Sequence, residues 1–194
     1  MVPGMPFEFF SGYSDRLQRV LAGADWSGVA LLADDMLKCW QAKNRVFLCG
    51  NGGSAGNAIH LANDFLYGVA KRSGAGMKVM ALTANSAVMT CLGNDLGYEH
   101  VFSEQLAVQA QEGDVLIALS GSGNSPNIVR VIEQAKAMGV KSYAVLGYGG
   151  GKCKDMADVA IHFQVEDMQI AEDLQLIVGH MLMQWLYSNR PQAN

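Results

Sequence analysis

Charge is scarce in this sequence. Only 16% of its 194 residues are Asp, Glu, Lys or Arg, the net charge is −4, and there is no basic run. The chain therefore lacks the electrostatic footprint of a nucleic-acid binder. Cysteine is sparse too. Cys39, Cys49, Cys91 and Cys153 show no C-x-x-C spacing, which argues against a cysteine zinc site or a disulfide framework. They read as reduced core residues of a cytoplasmic protein. No apolar stretch approaches the ~20 residues of a membrane span. The N-terminus lacks the basic segment and apolar run of a signal peptide. The nucleotide-binding patterns G-x-x-x-x-G-K-[ST] and G-x-G-x-x-G are both missing, and there is no linker, repeat or low-complexity tract. What remains is apolar: hydrophobic residues make up 50% of the chain. That suits a single domain, 1–194, with a large buried fraction that can include subunit interfaces.

The stretch that organises the chain is RVFLCGNGGSAGNAIHLANDF, Arg45 to Phe65. Arg45 to Cys49 is a short apolar run of strand formers. Gly50-Asn51-Gly52-Gly53-Ser54 is a turn of small residues, and the spacing predicts a helix starting at Ser54 as its N-cap. Strand, glycine turn and helix N-terminus leave unpaired backbone N–H groups facing an anion, with phosphate the natural one. A tight βα turn with no ligand is the plain alternative. The same helix carries His60 and Asp64, four apart and on one face, a spacing that serves either a metal or proton transfer.

Two amphipathic helices precede this stretch. Pro6 to Ala22 places Phe10, Leu17, Val20 and Leu21 on one face, and Trp26 to Ala42 repeats apolar residues at helical spacing. Their apolar faces need either another subunit or the chain's own sheet. Further strands are expected at Lys78–Leu82, Asp114–Leu119, Lys141–Leu146 and Asp158–Phe163. Helices are expected at Ala84–Leu92, Glu99–Ala110, Pro126–Met138 and Met168–Tyr187. Val69–Gly76 and Gly93–Gly97 read as loop and turn. Alternation of this kind predicts an α/β fold with a parallel sheet covered on both faces, whose ligands sit beyond the carboxyl ends of the strands.

A second loop, Ser120-Gly121-Ser122-Gly123-Asn124-Ser125-Pro126-Asn127, again leads into a helix, with Ser125 as N-cap and Pro126 as first helical residue. Hydroxyls and backbone N–H groups together can wrap a phosphate without Lys or Arg. Two such loops, each at the end of a parallel strand, point to a phosphorylated small molecule. The last helix buries Leu174, Ile177, Val178, Met181, Leu182 and Trp185 on one face. His180 lies away from it on a side that Leu176, Met183 and Leu186 also cover, a candidate acid/base or ligand. By the helical period Asp173 aligns with His180 better than Glu172 does.

CGNGGSA, the following His-x-x-x-Asp, GND, SGSGNS and the late His180 together resemble the sugar isomerase (SIS) domain family, and within it the phosphoheptose isomerases. The resemblance spans nearly the whole chain. It implies a flavodoxin-like five-stranded parallel sheet and a homotetramer with active sites between subunits. Residues 1–43 would then be a helical extension for oligomerisation, and 44–194 the α/β core. The implied reaction is aldose–ketose isomerisation of sedoheptulose 7-phosphate to D-glycero-D-manno-heptose 7-phosphate, a step towards surface polysaccharide. The implied sugar-phosphate contacts are Asn51, Gly52, Gly53, Ser54, Asn94, Asp95, Ser120, Gly121, Ser122, Ser125 and Glu172. Asp64 stands where the family has a Glu base, and His180 is the acid partner. Some members bind zinc, here implicating His60, Asp64, Glu172 and His180.

The chain departs from the family pattern at several points. Asp64 is one methylene shorter than Glu, which suits a metal ligand better than a base. Glu172 replaces a Gln and adds a charge that favours a divalent cation. Gly121 replaces a Thr. No Arg follows Asp64 closely, although Lys71 and Arg72 come slightly later. The alternative reading is a non-catalytic SIS protein that binds a sugar phosphate or a partner, as the initiator-associating protein binds the replication initiator DnaA. A histidine at 60, a carboxylate at 64 and a histidine at 180 favour the enzyme.

Overall fold

The computed structural model describes residues 6–71 and 76–191. Residues 1–5 and 192–194 of the expected domain and residues 72–75 of the expected 69–76 loop, Arg72 among them, lie outside the described residues. The elements are α1 (Pro6–Ala22), α2 (Ser27–Gln41), β1 (Arg45–Gly50), α3 (Gly53–Leu66), β2 (Lys78–Ala81), α4 (Ser86–Asp95) and α5 (Ser103–Gln109). They continue with β3 (Val115–Ser120), α6 (Pro126–Ala137), β4 (Lys141–Leu146), α7 (Gly151–Met156), β5 (Val159–His162) and α8 (Met168–Ser188). The five strands form one parallel sheet in the order β2-β1-β3-β4-β5. That order makes β1/β3 a switch point: the connections leaving these strands diverge to opposite faces and open a crevice at their carboxyl ends.

The pleat explains the layers. Along β1, Val46 and Leu48 join one apolar cluster with α2, α3 and α8, whereas Phe47 and Cys49 join another with α5, α6 and α7. Strands buried on both faces read as unbroken apolar runs, as β3 does. Of the two routes open to the leading helices, α2 takes its own sheet: Leu32 and Met36 are fully buried against it. By contrast, α1 has no buried residue; Tyr13, Leu17, Val20 and Leu21 lean on the core while Phe7, Phe9 and Phe10 face outward.

The structure corrects several boundaries. The expected helix Glu99–Ala110 breaks into a 3₁₀ turn, Tyr98–His100, and α5, because Val101 and Phe102 between them turn fully into the core. α4 runs on through Asp95, so Asn94 and Asp95 belong to its last turn and not to a loop. In α8 the buried stripe is Ile170, Ala171, Leu174, Gln175, Val178, Gly179, Leu182 and Leu186, which leaves Met181 and Trp185 on its exposed edge. Phe10 likewise faces away from the core. All four cysteines are free, but Cys91 is exposed, its thiol donating to Asp95 at 3.5 Å.

At the amino end of the sheet, Asp35 of α2 accepts hydrogen bonds from the Tyr143 hydroxyl of β4 at 2.6 Å and from Lys38 at 3.1 Å, and it pairs with Lys141 at 3.1 Å. Burial resists its ionisation, but these three donors outweigh that and hold its carboxyl below the usual range. Tyr143→Phe should cost about 1.5–3 kcal/mol, the worth of a hydrogen bond to a charged group. A carboxyl with a lowered folded pKa stabilises above its unfolded value of about 3.9 and loses that contribution as pH falls through the folded value. Urea midpoints of wild type and Asp35→Asn should therefore differ at pH 7 and draw together progressively as pH falls from about 4 through the lower folded value.

Candidate active site

The first glycine turn joins β1 to α3. Helix α3 begins at Gly53, with Gly52 (φ +55°) as its N-cap residue, two positions earlier than the expected cap Ser54. Ser54 is buried, and its hydroxyl accepts from Gln175 of α8 at 3.0 Å. Gln175 in turn accepts from Asn57 at 3.0 Å, and Asn57 also donates to the Glu172 carbonyl. This polar network between α3 and α8 orients the turn from beneath. The Glu172 carboxylate lies directly over the Gly53 Cα, where any side chain would collide with it. A carboxylate there is stabilised by the positive end of α3. The first turn thus already holds an anion of the protein's own.

The second turn, after β3, is free of such a carboxylate. Ser120 accepts from the Gly123 N–H at 3.1 Å and Ser122 from the Asn124 N–H at 3.3 Å, which leaves both hydroxyl protons to donate. Ser125 caps α6 with its backbone; its side chain makes no capping bond. The loop after β4 braces this turn. Gly147 N–H donates to Gly121 O and Cys153 N–H to Gly123 O, both at 3.0 Å. Gly123 (φ +65°) is packed so tightly on the Gly150 carbonyl that no Cβ would fit. At Gly121 the vacated space is filled by the Met168 sulfur, 2.5 Å from where a Cβ would stand.

Sequence reasoning missed how the two turns are joined. Asn127, in the first turn of α6, is only 1% exposed. Its amide pairs reciprocally with Asn51, each donating to the other at 2.8 Å, and Tyr98 adds a hydroxyl to Asn51 Oδ1 at 3.0 Å.

His60, Asp64 and His180 converge. The two Nε2 atoms are 3.0 Å apart, and they lie 3.4 and 3.6 Å from Asp64 Oδ2. Zinc bonded tetrahedrally at about 2.0–2.1 Å separates its ligand atoms by roughly 3.3 Å, so this trio fits such an ion. Both imidazoles are about half exposed, at 49% and 46%, so the covered setting expected for His180 is not provided by its own chain. Glu172 is not a member of the group. It lies eight residues from His180, about 12 Å along the helix, and points to the glycine turn. Asp173 is taken by the Tyr13 hydroxyl of α1, so of the two acids Glu172 is the one that faces the site. Asn94 donates to Asp95 at 2.7 Å at the end of α4, three residues before the chain returns to Asn51 through Tyr98. Lys71 lines a separate groove with Gly68, Met183 and Tyr187.

The SIS domain model matches residues 8–147. The chain belongs to the SIS domain family. The phosphoheptose isomerase of Akkermansia muciniphila is 40% identical over 172 residues, 88% of this chain and 89% of its own length. That of Helicobacter pylori is 31% identical over 94% of each. Among solved structures, the phosphoheptose isomerase of Neisseria gonorrhoeae superposes with a TM-score of 0.87 at 27% identity, over 95% of this chain and 100% of that one. The enzyme from Francisella tularensis gives 0.88 at 24% identity, a likeness of fold. The SIS match stops short of α8, so Glu172 and His180 of this family member come from beyond it.

The cluster depends on how closely α8 approaches α3. Gly179, one residue before His180, lies against the Leu61 methyls. Gly179→Val should force the helices apart, cost about 1–3 kcal/mol by overpacking, and separate His180 from His60. Denaturant unfolding measures the first effect and a crystal structure the second.

Proposed function

We propose that the protein is a phosphoheptose isomerase, converting sedoheptulose 7-phosphate to D-glycero-D-manno-heptose 7-phosphate. The observation that carries this reading is the His60–Asp64–His180 cluster on helices that also border two anion turns at the β1/β3 switch point. The second turn takes the phosphate through the hydroxyls of Ser120, Ser122 and Ser125 and the backbone of Gly121. Glu172 repels a dianion from the first turn and accepts sugar hydroxyls there instead, with the N–H groups of Gly52, Gly53 and Ser54 beside it. Asn51 spends its side chain on Asn127 and Tyr98, and Asn94 and Asp95 face the sugar from the end of α4. Asp64 takes the C1 proton of the ketose. The C1–H electrons form the C1=C2 double bond as His180 protonates the C2 oxygen, giving an enediol. Removal of the C1 hydroxyl proton and return of a proton to C2 yield the aldose.

Zinc, one per subunit, fits His60, Asp64 and His180. When bound it would polarise the sugar's carbonyl and hydroxyl oxygens, standing in for the His180 proton at the C2 oxygen and leaving the second oxygen of Asp64 as the base. The half-exposed histidines and the outward phenylalanines of α1 support a homotetramer that covers the site. The reading also places the protein in the cytoplasm, with its phosphosugar substrate and its own copies as partners.

Asp64→Asn should abolish turnover of sedoheptulose 7-phosphate and lower zinc content measured by elemental analysis, whereas Asp64→Glu should retain activity. Full activity in Asp64→Asn would overturn the mechanism. Ser122→Ala and Ser125→Ala should each weaken substrate binding by roughly 0.5–1.5 kcal/mol in calorimetry, with the fold intact. A monomeric mass by light scattering at micromolar concentration would refute the shared site.

A further inference from the structure

We propose that the Asn51–Asn127 amide pair is a positioning device that fixes the span between phosphate cradle and proton-transfer cluster, and so selects the substrate by the length of its carbon chain. This rests on the isomerase reading above. The ladder between β1 and β3 ends at Gly50↔Leu119, so beyond it the sheet no longer sets the spacing of the two turns. Among the described residues, the two amide bonds at 2.8 Å are the only hydrogen bonds joining 51–54 to 120–127. A reciprocal amide pair is a planar two-point contact, and it restrains separation and rotation together. The burial of Asn127 strengthens it, since its amide left alone would lack a partner where water reaches poorly, whereas Asn51, partly exposed, would keep the Tyr98 hydroxyl. Tyr98 fastens the corner after α4 to the same pair.

The placement gives the pair its consequence. Asn127 sits two residues past Ser125, on the helix whose start forms the phosphate cradle. Asn51 sits two residues before α3, the helix that carries His60 and Asp64. A ketose phosphate is held at both ends: by its phosphate and by its reacting C1 and C2. The distance between the holders therefore acts as a ruler. One carbon changes the required span by about an ångström, and a misplacement on the order of 1 Å can cost 100-fold in rate. Asn127 is a positioning residue, acting through Asn51 and the helix beyond it.

The test is calorimetry on the full chain with inorganic phosphate, fructose 6-phosphate and sedoheptulose 7-phosphate. Wild type should prefer the seven-carbon ketose over the six-carbon one by roughly 10-fold or more, a methylene's worth of discrimination. Asn127→Ala and Asn51→Ala should each remove most of that preference, and the double variant should remove no more than either single one. Binding of inorganic phosphate should stay within about 2-fold, because the cradle itself is untouched. In turnover, KM for sedoheptulose 7-phosphate should rise with the weakened binding and kcat should fall as well while inorganic phosphate binds as before, a combination that general destabilisation does not produce. If Asn127→Ala fails to fold, Asn127→Asp keeps the volume and one of the two bonds and should show the same loss in part. Retained preference in the folded variants, additive losses in the double variant, or no preference in wild type would each overturn the ruler. A wild type that binds selectively without turnover would instead strike down the isomerase reading and leave the ruler standing.

Discussion

The site depends on one contact, the close approach of α8 to α3. Gly179 accepts the Leu61 side chain where any other residue would hold the helices apart. One residue later His180 meets His60 and Asp64, and four earlier Gln175 reaches Ser54 and Asn57. The same helix pair thus presents a reactive cluster outward and a satisfied polar network inward. Buried polar groups of this kind are costly unless every member is paired, and here Ser54, Gln175 and Asn57 pair with one another.

Electrostatics divides the work between two turns that look alike in sequence. Both follow a parallel strand and both open a helix. Yet Glu172 lies over the first, whereas the second offers the Ser120 and Ser122 hydroxyls and has no such carboxylate over it among the described residues. A helix N-terminus already facing a carboxylate is a poor host for a phosphate dianion, and an uncommitted one is a good host. Under the proposed function a sugar phosphate would lie with its anionic end at Ser120–Ser125 and its hydroxyls towards Glu172. Two residues shape this difference: Gly121 gives its space to Met168 beside the second turn, and Glu172 brings a charge to the first.

Much of this was legible in the sequence because it is local. Strand runs buried on both faces, helical periods, and glycine or serine turns before helices depend on near neighbours, so the element order and both turns could be read directly. The misreadings are of one type. Ser54 has the chemistry of a cap, but Gly52 takes the role because α3 starts two residues early and Ser54 is drawn to Gln175, 121 positions away. Met181 and Trp185 have core composition, but the buried stripe of α8 is centred nearer Gly179.

By itself the sequence determined the parallel α/β architecture, the two turns and the i, i+4 pairing of His60 with Asp64, since each follows from the period of a helix or strand. Only the tertiary structure decided that His180 joins that pair, that Glu172 and not Asp173 faces the first turn, and that Asn51 is spent on Asn127. Those outcomes depend on the distance and rotation between helices far apart in the chain. Packing of Leu61 on Gly179 and the bond from Tyr13 to Asp173 set them, and no local periodicity encodes either.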